Sequence, residues 1–193
     1  MSKIVFLESK SIYLSPITEE DMCRVALFAN DEEARLFGSS TGRIAYESAI
    51  KEKFMEMTKS GEIFGIFRKD TNELIGDMGL HTIDTYNRCG VISIRIGIEE
   101  NRGRGYGTEA LVMLLKHAFI DLNLESISLG VFEYNRRAIS VYRKIGFREI
   151  GHRRNVRIVG NQKFDEILMD MIADEYFELH GNSELSKYQL EKL

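Results

Sequence analysis

Asn101-Arg102-Gly103-Arg104-Gly105-Tyr106-Gly107-Thr108 is the stretch that decides how this chain is read. It follows an apolar strand-like run, Val91 to Ile98, and leads into an apolar run of helical spacing, Ala110 to Ile120. Three alternating glycines therefore stand where a strand hands over to a helix. Without a Cβ, Gly103, Gly105 and Gly107 let the backbone take positive φ and come close to a ligand. The unpaired N–H groups and positive dipole end of a helix's first turn favour a bound anion. The expected guest is a diphosphate.

Upstream of this stretch, Ile12, Leu14 and Pro16 read as a strand closing into a turn, and Thr18-Glu19-Glu20-Asp21 as a capping signal for a helix through Asn30. A loop containing Gly38 and Gly42 follows. Ile44 to Lys59 has helical spacing, with Gly61 as its expected terminator. Ile63 to Phe67, Leu74 to Ile83 and Val91 to Ile98 are separated by turn residues and predict an antiparallel meander. Downstream, Ser126 to Phe132 is a strand reached through a helix, which predicts a parallel neighbour joined by a right-handed crossover. Asn135 caps a short helix that Gly146 ends, a strand starts at Phe147, and a last strand runs about Phe164 to Ile172. The fold class is therefore α+β: a twisted, mostly antiparallel sheet with one parallel pair after the glycine loop and helices on both faces.

With 193 residues and 44% hydrophobic content, the chain suits one domain, taken as residues 1–176, followed by a polar tail, 177–193, with a short helix expected over Ser183 to Leu193. The net charge of -4 comes with dispersed Lys and Arg, which argues against a nucleic-acid partner and favours a cationic one. Cys23 and Cys89 share no metal-ligand spacing with the four histidines, so neither a metal site nor a disulfide framework is expected. The apolar run Ile4 to Leu7 is too short for a signal segment or a membrane span, and a soluble cytoplasmic protein is expected.

The glycine stretch and a second motif, Asn135-x-x-Ala138-x-x-x-Tyr142-x-Lys144-x-Gly146-Phe147, stand in register on the expected elements. Together they resemble the GNAT acetyltransferases, and within them the branch of ribosomal-protein N-terminal acetyltransferases, over about Ile12 to Tyr176. The first motif matches that family's Arg/Gln-x-x-Gly-x-Gly/Ala signature. The resemblance implies an acetyl-CoA-dependent N-acetyltransferase that moves the acetyl group to a primary amine by direct attack in a ternary complex. Arg102, Gly103, Arg104, Gly105, Tyr106, Gly107 and Thr108 would surround the diphosphate, chiefly through backbone amides. Ile96, Gly97 and Ile98 would pair with the pantetheine arm, Asn135 would bond it from the other side, and Tyr142 would face the sulfur. Spacing adds independent support: seven residues place Asn135 and Tyr142 on one helix face, with small Ala138 between them.

Acetyl transfer needs a neutral amine, a stabilised oxyanion and a protonated leaving sulfur. Tyr142 is the candidate acid, since a phenol is a donor near neutral pH, although such a helix often carries a core tyrosine. A backbone amide among Ile96 to Ile98 is the candidate oxyanion donor. Many relatives carry a glutamate base where this chain has Val91. If the turn from Asp84 to Gly90 sets an even-sum antiparallel register, strand alternation gathers Asp77, His81, Ser93 and Arg95 into a polar patch in which Asp77 or His81 is the candidate catalytic base, and Arg95 equally a salt-bridge partner for Asp77. The acceptor is a protein N-terminus or a small cationic amine, and the assembly a monomer or homodimer. Two other readings remain: a CoA-binding regulatory module without catalysis, and a dinucleotide binder, because Gly105 to Ala110 also fits GxGxxG/A.

Overall fold

The computed structural model describes residues 3–38 and 44–181. The expected tail helix, Ser183 to Leu193, lies outside them. By contact density the chain forms two compact units, one of Met1–Ile83 with Val91–Leu114, the other of Asp84–Gly90 with Leu115–Leu193.

The first unit contains β1 (Leu7–Glu8), β2 (Ile12–Pro16), β3 (Glu62–Arg68), β4 (Leu74–Asp84, its last residue in the other unit) and β5 (Cys89–Ile96, from Val91). They lie side by side in chain order, and the β1–β2, β2–β3 and β3–β4 pairs are antiparallel. Its helices are α1 (Met22–Asn30), α2 (Glu32–Phe37), α3 (Glu47–Met57) and the start of α4 (Tyr106–Lys116). Asp21 prepares the entry to α1, its carboxylate accepting from the Thr18 N–H and hydroxyl, both at 2.8 Å, and from Lys3. Val25 and Phe28 of α1, Ile50 of α3, and Tyr13, Phe67 and Leu74 of the sheet form one apolar cluster, with Tyr13 stacked on Phe67 at 5.2 Å. β2, β3 and β4 are buried along most of their length, and α1 and α3 cover the face that carries Tyr13, Phe67 and Leu74.

Two expectations change here. The loop after Asn30 begins with α2, capped by Asp31, whose carboxylate accepts from the Ala34 N–H at 3.0 Å. Gly61 does not end α3, which stops at Met57 with Thr58 as its cap; instead Gly61 lies so close to the Leu80 carbonyl that a Cβ would collide with it.

In the second unit, β6 (Ser126–Phe132), α5 (Arg136–Ile145), β7 (Arg148–Val159), β8 (Gln162–Ile172) and α6 (Ala173–His180) follow one another. β8 pairs antiparallel with both β6 and β7. The end of α4 widens into a π-helical turn, His117–Asp121, in which the buried His117 is bonded to Asp121 at 2.9 Å. α6 continues through Tyr176, the expected end of the domain, because that ring is buried and stacked on Phe119 at 4.8 Å.

Candidate active site

The glycine stretch forms an open cradle. After β5 the chain makes a 3-10 turn, Glu99–Asn101, and Gly103 and Gly105 then adopt φ of +72° and +89°. These are left-handed conformations that cost an L-residue roughly 1–2 kcal/mol. A Cβ at either glycine would meet no heavy atom within 4 Å, so it is backbone conformation, with open space in front, that calls for glycine. Among the described residues, no acceptor bonds the six consecutive N–H groups from Gly103 to Thr108. Unpaired amides at the start of a helix suit a diphosphate. Glu109, the one acid of this first turn, is turned aside by Ser9 Oγ at 2.6 Å and the Ser11 N–H at 3.1 Å.

Arg102 does not aim its guanidinium at this cradle. Its side chain is only 9% exposed, and it donates to Glu33 at 2.7 Å, to Asp31, and to the carbonyls of Ile96 and Gly97 at 3.1 and 3.2 Å. Arg104 is exposed. Tyr106 lies under the Arg68 guanidinium at 6.0 Å.

At the end of β5 the backbone donors divide. The Gly97 N–H donates to the Ile75 carbonyl at 2.8 Å, while the Ile98 N–H has no acceptor among the described residues. Gly97 is fixed from the side by the Phe28 ring, which occupies the place of its missing Cβ.

The polar patch on β4 and β5 is present as two pairs. His81 Nε2 lies 2.6 Å from Ser93 Oγ, and Arg95 donates to Asp77 Oδ2 from Nε at 2.8 Å and from Nη2 at 2.7 Å. Thr82, beside His81, has φ of +50°, which a β-branched residue seldom adopts. The His81 Nδ1 is buried and has no hydrogen-bond partner among the described residues. Burial, then the Lys53 ammonium, lower the His81 pKa against the pull of Asp77, so the ring is neutral at neutral pH. Burial raises the Asp77 pKa, with Arg95 opposing. Val91 is a surface residue.

In the second unit, Asn135 caps α5 by accepting from the Ala138 N–H at 3.1 Å. The cap takes the amide oxygen and leaves the Nδ2 hydrogens for a ligand. Gly146 ends the helix with φ of +120°. Tyr142 is half-buried, its ring edge-on to Phe147 at 5.9 Å, and desolvation pushes its pKa up to about 12. It is therefore a neutral phenol, a donor, across the physiological range. Among the described residues no cluster of His, Cys, Asp and Glu could hold a metal, and no helix is long and apolar enough to cross a membrane.

Local sequence patterns found the cradle, the patch and the Asn135–Tyr142 helix. They missed the Asp31–Glu33–Arg102 cluster, because its partners are 69 and 71 residues apart and charge pairing at that separation leaves no local signal.

The family model for the acetyltransferase (GNAT) domain matches residues 11–148. An uncharacterized N-acetyltransferase of Bacillus subtilis (strain 168), YoaA, is 32% identical over 150 residues, 75% of this chain and 84% of that protein. A putative ribosomal N-acetyltransferase of the same organism, YdaF, is 29% identical over 103 residues, 53% of this chain and 56% of that one. Among solved structures, a spermidine N-acetyltransferase from Vibrio cholerae in complex with CoA and spermine is 21% identical with a TM-score of 0.78, covering 86% of this chain and 98% of that one. That likeness gives the fold class expected from the sequence, the α+β GNAT fold. Since the family model spans most of the chain and places the glycine cradle inside its match, the chain belongs to the GNAT family and is an acetyl-CoA-dependent N-acetyltransferase.

Proposed function

We propose that this enzyme acetylates a protein N-terminus or another primary amine without a second nearby cation, and that the residues singled out above divide the work. The observation that carries the cofactor assignment is the run of unpaired amides from Gly103 to Thr108, which suits the diphosphate of acetyl-CoA. Bound there, acetyl-CoA supplies an activated acyl group whose thioester carbon is open to an amine. The Ile98 N–H, free of any acceptor among the described residues, bonds the carbonyl oxygen as it becomes negative. Arg102 contributes its backbone rather than its guanidinium to the cofactor side.

His81 takes the amine's proton, directly or through water. It is preferred to Asp77 because its ring is neutral, whereas the Asp77 carboxylate is held by Arg95. The C–N bond forms as the C–S bond breaks, and the departing sulfur takes its proton from the Tyr142 phenol, a donor throughout the working pH range. His81 returns the amine's proton to solvent, and the phenol is reprotonated from it.

The choice of acceptor rests on the charges that act on His81. They are Lys53 and Asp77, and Asp77 is already matched by Arg95. Among these described side chains, Lys53, Asp77 and Arg95, no carboxylate is left unpaired for a second ammonium, which supports an N-terminus as the first acceptor to try despite the acidity of the whole chain. The spermine-bound relative motivates the polyamine as the second reading. A further Vibrio cholerae spermidine N-acetyltransferase structure is dodecameric, so the expectation of a monomer or homodimer here needs a solution mass.

The test is acetyl-CoA-dependent release of free thiol with N-terminal peptides, a polyamine, an aminoglycoside and free amino acids. The expected result is turnover with peptides, lowered roughly 10²- to 10⁴-fold in Tyr142→Phe. Turnover confined to the polyamine would overturn the choice of acceptor, and full activity in Tyr142→Phe would remove the phenol as the acid.

A further inference from the structure

Arg102 is the most heavily engaged side chain near the site, and the signature it belongs to would place it beside phosphate. It is 9% exposed, and its Nε donates to the Ile96 carbonyl at 3.1 Å and its Nη2 to the Gly97 carbonyl at 3.2 Å. On the opposite edge, Nη1 donates to Glu33 at 2.7 Å and Nη2 to Asp31. Burial disfavours charge on Asp31, yet Arg102 and the Ala34 N–H outweigh it and hold that carboxyl below its ordinary range. Asp31 is at the same time the cap of α2, so the arginine is anchored to a helix end rather than to a loose side chain.

The two carbonyls matter because of peptide geometry. Among the described residues the peptides are trans, and in a planar trans peptide the C=O of one residue points opposite to the N–H of the next. Holding the Ile96 carbonyl therefore orients the Gly97 N–H, which β4 also holds through Ile75 at 2.8 Å. Holding the Gly97 carbonyl orients the Ile98 N–H, and there no strand partner assists among the described residues. Gly97 itself is poorly able to fix this plane, since glycine restricts its own dihedrals least. The rigid guanidinium fork spans both carbonyls, which the single ammonium of a lysine could not do in the same geometry.

We propose that Arg102 is a positioning residue for the acyl transfer: anchored on Asp31 and Glu33, it clamps the Gly97–Ile98 peptide so that the Ile98 N–H is aimed at the thioester oxygen. The proposal rests on the reading of Ile98 as the oxyanion donor and adds the device that aims it. It also assigns the α1–α2 joint a share in catalysis, through the two carboxylates that keep the clamp in place.

The experiment compares wild type, Arg102→Gln, Arg102→Lys, Asp31→Asn/Glu33→Gln and the combined Arg102→Gln/Asp31→Asn/Glu33→Gln variant. Three quantities are read: CoA affinity by calorimetry, kcat, and the infrared stretch of an isotope-labelled acetyl carbonyl in bound acetyl-CoA. In wild type the stretch is expected to move to lower frequency on binding. In Arg102→Gln that movement shrinks and kcat falls on the order of 10²-fold, as for loss of an oxyanion donor, while CoA affinity is unchanged. The carboxylate variant shows a smaller loss in the same direction, and adding Arg102→Gln to it costs less than on wild type, because the three side chains act as one unit. Should Arg102→Gln fail to fold, Arg102→Lys keeps a charge for the carboxylates and is expected to lose the carbonyl signature all the same.

Weakened CoA binding with kcat intact in Arg102→Gln would make the arginine a phosphate ligand and overturn the proposal. A normal wild-type shift that survives undiminished in Arg102→Gln would overturn the clamp and leave Ile98 as the donor. No shift in wild type would remove the donor reading itself.

Discussion

Replacing Gly105 by alanine separates what the cradle costs the fold from what it does for the ligand. At φ of +89°, with no heavy atom within 4 Å of the added Cβ, the substitution meets backbone strain and no collision. The left-handed conformation costs an L-residue roughly 1–2 kcal/mol. In a chain of 193 residues, where each kcal/mol moves the melting midpoint by about 2–4 °C, Tm should fall by about 2–8 °C. Binding should suffer separately. A hydrogen bond to a charged group is worth about 1.5–3 kcal/mol, so one displaced amide–phosphate contact weakens CoA roughly 10- to 150-fold. Gly160, in the turn between β7 and β8, is the matched control: its φ is +60°, and a Cβ there also meets nothing within 4 Å. Gly160→Ala should lose similar stability and keep its CoA affinity. Thermal unfolding and calorimetric titration with CoA measure both quantities on both variants. Wild-type CoA affinity in Gly105→Ala, or equal weakening in Gly160→Ala, would refute the cradle.

Three further outcomes follow from single contacts. Because the folded pKa of His81 is lowered, the stability its neutral ring contributes is complete above the ordinary histidine value of ~6.5 and is lost as pH falls through the folded value. kcat should show an acid limb over the same range, below pH ~6.5, and His81→Ala should lose both that limb and most of the rate; an unchanged profile would dismiss His81 as the base. Asn135→Ala removes the cap on Ala138 and should cost about 1 kcal/mol, seen as a Tm lowered by about 2–4 °C. If Asn135 also bonds the pantetheine arm, CoA affinity should fall in the same variant and be restored by neither serine nor aspartate, which cap but carry no amide donor. Gly97→Ala drives a Cβ into the Phe28 ring, and urea denaturation should report roughly 1–3 kcal/mol of lost stability from overpacking.

The parts of the fold legible in the sequence are those governed by neighbours along the chain. Ser126 to Phe132 is a strand with the expected bounds, because its alternating burial is written into its own residues. Asn135 and Gly146 frame α5 for the same reason: a cap acts within a few residues. The short α2 was hidden although its signals were present, with Asp31 as cap and Glu32 and Glu33 in its first turn. Six residues form a marginal helix alone, and the partner that holds its carboxylates, Arg102, comes from a different part of the chain. α6 spans the expected domain end at Tyr176 and the start of the expected polar tail, since the burial of Tyr176 depends on Phe119 rather than on its own neighbours.

The candidate site divides in the same way. The glycine stretch could be read from spacing, and strand alternation with an even antiparallel register put Asp77, His81, Ser93 and Arg95 together, as they are found. How the patch is paired depended on packing: burial left His81 Nδ1 without a partner among the described residues, and proximity tied Asp77 to Arg95. The same holds for Arg102, whose motif suggested phosphate and whose guanidinium is bonded to Asp31, Glu33 and two carbonyls.

That arginine also bears on how the signature varies from protein to protein. The motif admits glutamine where this chain has Arg102, and a glutamine brings no positive charge to the joint between α1 and α2. Asp31 and Glu33 would then lose the guanidinium they share. The three positions should therefore change as a set, with glutamine at the first accompanied by the loss of at least one acid at the other two. An alignment of relatives would reveal this as covariation across about 70 residues of chain, invisible to any reading of the motif by itself.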